Sequence, residues 1–436
     1  MKLTKKAIAL GSAVAMLTSV AACGSSNDAS NEGTADDPVT INVWAWEPTL
    51  TDVKKKFEKK YPNIKVKITN AGTAGTEYTA LQNALTAGKG APDLAQIEYF
   101  AIPQFSLAES LYDLSQFGAD QYADYYNPGP WSAVSSNGGV WALPMDSGPT
   151  AFFYNKVAFE KAGIAEAPKT WNEFYEAAKK LRAVGSYILA EPNNIAVTES
   201  WIWAAGGNPV SVDGETVSID YAGDEKSKAF SEYMQKLIDE DLINTQLTMW
   251  SDDWYKALGD GSLAGITTGA WMVAMLKAGV PDAAGQWRIA DMPQYDLDDF
   301  GNGEDGGSSL AMLAGTDKAD AAWKFLEFAT HDREGVDTRI DLGQFPADAQ
   351  TLEDKEFANK TDDFFGDQKY QDVLIKAAQK VRTGWSYLPY EVHARNIFGD
   401  YVGKASTDKS ITYQQGVQQW QDALAQYGKD QGFTVK

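Results

Sequence analysis

Along residues 50–68 the apolar positions recur first with the period of a helix and then with the period of a strand. Leu50, Val53 and Phe57 stand three and four residues apart, so they line one helical face, and the lysines between them take the wet face. Tyr61-Pro62-Asn63 stops that helix, because proline lacks an N–H and clashes with the preceding turn. Ile64, Val66 and Ile68 then alternate with Lys65 and Lys67, which predicts a half-buried strand. Ahead of this unit, "TINVWAWEPTL" at residues 40–50 reads as a buried strand. Behind it, Tyr78, Leu81 and Leu85 predict a helix ending near Gly88, and "APDLAQIEYF" predicts a further strand. Strand, helix, strand, helix, strand at this spacing predicts a parallel sheet covered by helices.

Four more helices are legible downstream. "TWNEFYEAAKKLRA" opens with Thr170 and Glu173 in capping-box spacing and carries Phe174, Ala178 and Leu181 on one face. Phe230, Met234 and Leu237 mark the next, Trp323, Leu326 and Ala329 a third, and Tyr413, Val417, Trp420 and Leu424 the last. There is no repeat array. At 436 residues the chain exceeds what one hydrophobic core usually supports, which predicts two lobes.

Several stretches, taken in order, carry a resemblance. They are "VTINVWAWEPTLTDVKKKFEKKYPNIKVKI", "LTAGKGAPDL", "LPMDSGPTAFFYNKVAFEKAGIAEAPKTWNEF", "WAAGGNPV", "GDGSLAGITTGAW" and "AAWKFLEFAT". Together they resemble the family 1 extracellular solute-binding proteins of carbohydrate ABC importers, over nearly the whole chain behind its first segment. The resemblance implies an α/β, two-lobe, periplasmic-binding-protein-like fold of type II, with discontinuous lobes joined by hinge segments. It places residues 39–147 plus 307–343 in an N-terminal lobe and residues 151–306 plus 347–436 in a C-terminal lobe, with crossings near 147–151, 306–311 and 343–347. It also implies the activity: binding of an oligosaccharide outside the cell and its delivery to a permease by domain closure, without chemistry. The chain has no P-loop pattern, so the ATPase of such an importer is a separate chain.

The N-terminus sets the location. Basic "MKLTKK" is followed by the apolar run "AIALGSAVAMLTSV", too short to span a membrane comfortably, and residues 1–22 therefore read as an export signal. Val20-Ala21-Ala22-Cys23 resembles a bacterial lipobox, in which the cysteine is acylated and becomes the first residue. Cys23 is the single cysteine of the chain, so it has no partner for an internal disulfide. Residues 23–38 lack aromatic and large aliphatic side chains and read as a flexible tether behind that anchor. The expected location is the outer face of a bacterial cell membrane, and the expected state is a monomer. The formal charge is −22, and loss of the three lysines in residues 1–22 leaves −25, an acidic body that repels nucleic acid.

Candidate site residues follow from the sheet. In open α/β sheets ligands bind beyond the carboxyl ends of the strands. Trp46-Glu47, Glu98-Tyr99 and Asp146 stand at three such ends. A sugar ring has apolar C–H faces and a rim of hydroxyls, so it calls for flat aromatic platforms together with carboxylates and amides. Of the 14 tryptophans, Trp171, Trp254, Trp323 and Trp420 lie on apolar helical stripes and read as core, as do Trp201 and Trp250. Trp203, before "AAGG", and Trp271, after "TTGA", occupy places where aromatics of the resembling family stack on sugar. "GWSYLPYEVHARN" adds Trp385, Tyr390, Glu391 and His393, from a segment that in the family reaches back to the cleft.

The alternatives are a cell-surface glycoside hydrolase, for which Glu98 and Asp146 would supply the two carboxyl groups, and an adhesin that binds glycans without transport. The two histidines, His331 and His393, stand too far apart in sequence for zinc spacing, so neither a metal nor a cofactor is expected.

Overall fold

The computed structural model describes residues 33–136, 138–190 and 192–436. The export signal and Cys23 lie outside the described residues. Two sheets organise the chain. In the first, Val39–Trp44 pairs in parallel with Ile64–Thr69 on one side and with Leu94–Glu98 on the other. Ser308–Met312 then adds antiparallel to Leu94–Glu98, and Leu143–Pro144 closes the edge. The parallel expectation holds for the first three strands, and the fourth is a return strand from more than 200 residues later.

The second sheet is antiparallel throughout, in the order Gly265–Gly269, Thr150–Asn155, Trp287–Ala290. Alternation decides which face each residue covers. Ile41, Val43, Leu94, Leu310 and Met312 enter one core, with the helices Leu50–Lys60 and Ala319–Thr330, while Ala95, Ile97 and Ala311 enter another on the opposite face. The second sheet divides likewise: Phe152 packs with the helices Trp171–Ala183 and Tyr413–Asp430, whereas Ala151, Phe153, Ile266 and Ile289 face the other way. Each sheet is therefore covered on both faces. The fold is α/β with two lobes.

The predicted stripes are buried: Leu50, Val53 and Phe57; Phe174, Ala178 and Leu181; Phe230, Met234 and Leu237; Tyr413, Val417, Trp420 and Leu424. Thr170 caps its helix by accepting the N–H of Glu173 at 3.1 Å. The Glu173 carboxylate reaches back one residue further than a capping box requires, to the N–H of Lys169 at 2.7 Å.

Three passages link the sheets. Residues 145–149 run from Leu143–Pro144 to Thr150–Asn155, and residues 291–307 return from Trp287–Ala290 to Ser308–Met312. These two run side by side: the Asp305 N–H donates to the Gly148 carbonyl at 2.8 Å, and the Ser147 hydroxyl donates to the Glu304 carboxylate at 2.6 Å. The third passage is stepped. Phe345 packs in a core of the second lobe, Ala347 and Asp348 bond back to Asn127 and Tyr126 of the first, and Leu352 packs in the second again.

Candidate functional site

The strand ends meet where residues 304–308 pass between the lobes. Gly306 and Gly307 have φ of +79° and +97° there, a region that suits glycine. A Cβ on Gly307 would overlap Cε2 of Tyr99, and one on Gly306 would lie 3.2 Å from Nε1 of Trp271. These two glycines thus sit between an aromatic ring of each lobe. The Trp271 indole N–H donates to the Asp305 carbonyl at 2.7 Å, and the Thr268 hydroxyl donates to the Asp305 carboxylate at 2.6 Å.

On the first lobe, Gln96 ties the ends of its neighbours together. Its Oε1 accepts the N–H groups of Trp46 and Glu47 at 3.1 and 3.0 Å, and its Nε2 donates to the Ser308 hydroxyl at 3.0 Å. The half-buried Trp46 ring meets Tyr78 edge to face at 6.2 Å. The Tyr78 hydroxyl donates to the Glu98 carboxylate at 3.1 Å. Tyr99 donates its hydroxyl to the Asp146 carbonyl, while the Asp146 carboxylate accepts from the Ser308 N–H and, at 3.3 Å, from Gln344 Nε2. The Glu47 carboxylate accepts the N–H of Thr49 at 3.0 Å.

On the second lobe, Trp203 and Trp385 stack with ring planes 8° apart and centroids 5.3 Å apart. The Trp203 N–H donates to the Arg382 carbonyl at 2.6 Å, and Tyr387 meets both indoles edge-on. A cavity of about 500 Å³ opens at this pair, bounded also by Gly206, Gly207, Asn208 and Arg382. Another, of about 520 Å³, lies between the helix Met272–Gly279 and residues 340–345, and none of the sequence-predicted residues lines it.

The helix Glu391–Val402 separates the last group of candidates. Glu391 and Arg395 stand four apart, hence on one face. Arg395 pairs with Glu391 at 3.2 Å and with Glu199, and its guanidinium lies 4.0 Å from the Phe100 centroid, in the first lobe beside Tyr99. Glu199 also accepts from the Tyr221 hydroxyl at 2.9 Å. His393, two positions on, turns to the opposite side and stacks on Tyr427 at 3.7 Å with planes 12° apart. Tyr390 is buried against Tyr427 and Phe433. The structure therefore brings together Trp46, Glu47, Glu98, Tyr99 and Asp146 on one lobe and, on the other, Trp271 at the passage and Trp203 with Trp385. Glu391 reaches this region through Arg395, and Tyr390 and His393 do not reach it.

Trp171, Trp201, Trp254, Trp323 and Trp420 are buried. Trp250 is not: it is 48 % exposed, against the core placement expected of it. Its indole lies 5.7 Å from that of Trp271, inclined at 35°. Further contributors carry no pattern that marks them in the sequence, namely Phe100, Glu199, Tyr387 and Arg395. Glu304 and Asp305 carry one signal, an acidic pair directly before Gly306-Gly307.

The electrostatics are those of crowded acids. Burial pushes Glu98, Asp146 and Glu304 each up to about 7, against the opposing pull of Arg395 on Glu98, of the Ser308 N–H on Asp146 and of the Ser147 hydroxyl on Glu304. Burial likewise raises Asp305 and Glu391. Burial acts to lower Arg395, but the Glu199 and Glu391 carboxylates outweigh it and hold the guanidinium above its usual range. Carboxyl groups poised between ionised and neutral offer both acceptors and donors to a hydroxylated ligand. Asp146 has both oxygens engaged within the protein, which suits a fixed acceptor better than a nucleophile. Among the described residues no group of His, Cys, Asp and Glu is placed to hold a metal ion, and no helix is long and apolar enough to cross a membrane.

The profile of the bacterial extracellular solute-binding protein family matches residues 45–335. Two solved proteins are similar over almost all of the chain. One is the ABC transporter associated binding protein from B. animalis subsp. lactis Bl-04, in complex with beta-1,6-galactobiose. It is 46% identical, the match covers 92% of this chain and 100% of that one, and the TM-score is 0.84. The other is the galacto-N-biose-/lacto-N-biose I-binding protein of the ABC transporter from Bifidobacterium longum, in complex with lacto-N-biose. It is 28% identical, with 92% and 99% covered and a TM-score of 0.79. The lactose-binding protein of Rhizobium radiobacter is 24% identical over 371 residues, 77% of this chain and 82% of that protein.

Proposed function

The chain belongs to the bacterial extracellular solute-binding protein family, and on that premise we propose that it captures a β-linked galactosyl oligosaccharide between its lobes and delivers it to the permease of an ABC importer. The carrying observation is that aromatic rings and carboxyl groups of both lobes converge on one passage, with Tyr99 and Trp271 on either side of Gly306 and Gly307. The sugars of the three relatives, β-1,6-galactobiose, lacto-N-biose and lactose, all carry galactose in β linkage. Galactose sets its C4 hydroxyl axial, which gathers the C–H groups of C3, C4 and C5 on one face. An indole face matches that apolar patch, and carboxyl groups at its edge take the hydroxyls.

In this function Trp46, Glu47, Glu98, Tyr99 and Asp146 belong to the first lobe, residues 39–147 with 307–343. Trp203, Trp271 and Trp385 belong to the second, residues 151–306 with 347–436. Glu391 acts by holding Arg395. Sugar bridging the lobes binds the closed form better than the open one and shifts the population toward it. The body acts as a monomer, tethered to the outer face of the membrane through acylated Cys23. One acyl chain anchors only marginally, so firm anchoring takes two or more.

Titration calorimetry with β-1,6-galactobiose, lactose and maltose tests the assignment, with chromatography of the recovered sugars. Binding of the two β-galactosides, absence of binding by maltose, and unchanged sugars are expected. Binding of maltose alone would overturn the galactoside class, and appearance of monosaccharides would overturn binding without chemistry.

A further inference from the structure

Trp250 is a bulky residue in an unusual backbone conformation, packed on one side and open to solvent on the other. Its φ is +71°, in the left-handed region where residues other than glycine are strained. The turn that holds it is tight: the Ser251 N–H donates to the Thr248 carbonyl at 3.2 Å, and the Ser251 hydroxyl caps the next helix by accepting the Trp254 N–H at 3.2 Å. Glycine is the residue such a turn favours. Instead the chain places an indole there and leaves it 48 % exposed.

The indole is braced rather than loose. Trp254, itself buried, lies 5.4 Å away, and Tyr255 lies 6.4 Å away. Trp271 lies 5.7 Å away and inclined at 35°, and Trp271 is in turn fastened to the passage between the lobes through Asp305. The two indoles form a bent wall that begins at the passage and ends at solvent. Asp252 and Asp253, both exposed, follow Trp250 directly and supply acceptors for hydroxyls at the outer end.

We infer that Trp250 is the platform of an outer subsite, taking the sugar ring beyond the one that rests on Trp271, and so favouring ligands longer than a disaccharide. Successive sugar rings are inclined to one another, as the two indoles are. The strained backbone is then a stability cost kept for binding, a pattern found where strain serves a site.

This inference rests on the oligosaccharide-binding function proposed above, and its test separates the two. Affinities for β-1,6-galactobiose and the β-1,6-galactotriose are measured by calorimetry for the wild type, Trp250→Ala and Trp250→Gly, with thermal melts of all three. The wild type should bind the trisaccharide more tightly than the disaccharide. In both variants that ratio should fall by about tenfold, the worth of one aromatic platform. Trp250→Gly should also melt higher than Trp250→Ala, because glycine relieves the left-handed backbone. An equal loss for both sugars, or no loss for either, would overturn the outer subsite while leaving oligosaccharide binding intact. A wild type that binds neither sugar would overturn the galactoside assignment and the subsite with it.

Discussion

The indole N–H of Trp271 donates to the backbone carbonyl of Asp305 at 2.7 Å, so a ring of the second lobe is fastened to the chain passing between the lobes. Trp271→Ala removes both the proposed platform and this tie, and should cost about 2 kcal/mol in sugar binding, about thirtyfold in affinity. Trp420→Ala is the control. Trp420 is buried, donates to the Ala394 carbonyl and packs on Phe398, so its loss should lower the melting temperature and spare the affinity of the folded fraction. Calorimetry and thermal melts decide; wild-type affinity in Trp271→Ala would remove that residue from the site.

Gly307 has no room for a side chain. Its φ of +97°, and the overlap that a methyl group there would make with the Tyr99 ring, predict that Gly307→Ala strains the backbone and displaces that ring. Stability should fall by about 1 kcal/mol or more, and sugar affinity should fall as well, because Tyr99 holds the Asp146 carbonyl. Denaturant titration and calorimetry on the variant test this. An unchanged protein would mean that the passage tolerates a shift larger than its contacts suggest.

Glu77 predicts a pH effect separable from binding. Neither carboxylate oxygen has a hydrogen-bond partner, the side chain is fully buried, and burial pushes the group up to about 8 from an ordinary 4.5. The folded state therefore holds a proton that the unfolded state releases above 4.5. The associated stability is complete below pH 4.5, declines as pH rises, and is lost by about pH 8. Glu77→Gln keeps the shape and removes the titration. Its melting temperature relative to wild type should climb between pH 5 and pH 8 and level off beyond. A constant difference across that range would show that Glu77 is ionised throughout.

Legibility in the sequence follows the range of the interaction. Helical stripes such as Leu50, Val53 and Phe57 are readable because burial of a helix face is a local, periodic constraint. Strand ends carrying Glu98 and Asp146 are readable because the parallel strands fix which edge is the carboxyl edge. Which face of Glu391–Val402 meets the site is not, since the phase of a helix is set by its neighbours; hence Glu391 and His393 stand together in sequence and apart in space. Arg395 is silent for the same reason, and so is the contact that Asp305 makes, although its pairing with Glu304 before Gly306-Gly307 is visible. Their partners, Glu199 and Thr268, lie 196 and 37 residues away. Trp250 reads as core in the sequence because a left-handed tryptophan has no local signature.

Arg395 gives the last test, since one guanidinium serves two buried carboxylates. It bonds Glu199 and Glu391, whose side chains are 3% and 1% exposed, and its own is 18% exposed. Arg395→Ala would leave both acids without their cation in a site where burial already raises Glu391. Breaking a buried pair in this way costs about 3–5 kcal/mol. Because burial favours the neutral form of Glu391, whose unpaired charge protonation then relieves, the loss should be larger at pH 8 than at pH 5. The triple variant with Arg395→Met, Glu199→Gln and Glu391→Gln removes the charges together, and should recover most of the stability without restoring the contact of the guanidinium over Phe100. Guanidinium chloride unfolding of the single and triple variants at the two pH values measures this. A loss relative to wild type, measured alongside, that is equal at both would sink the assignment of Arg395 as the cation that holds those acids.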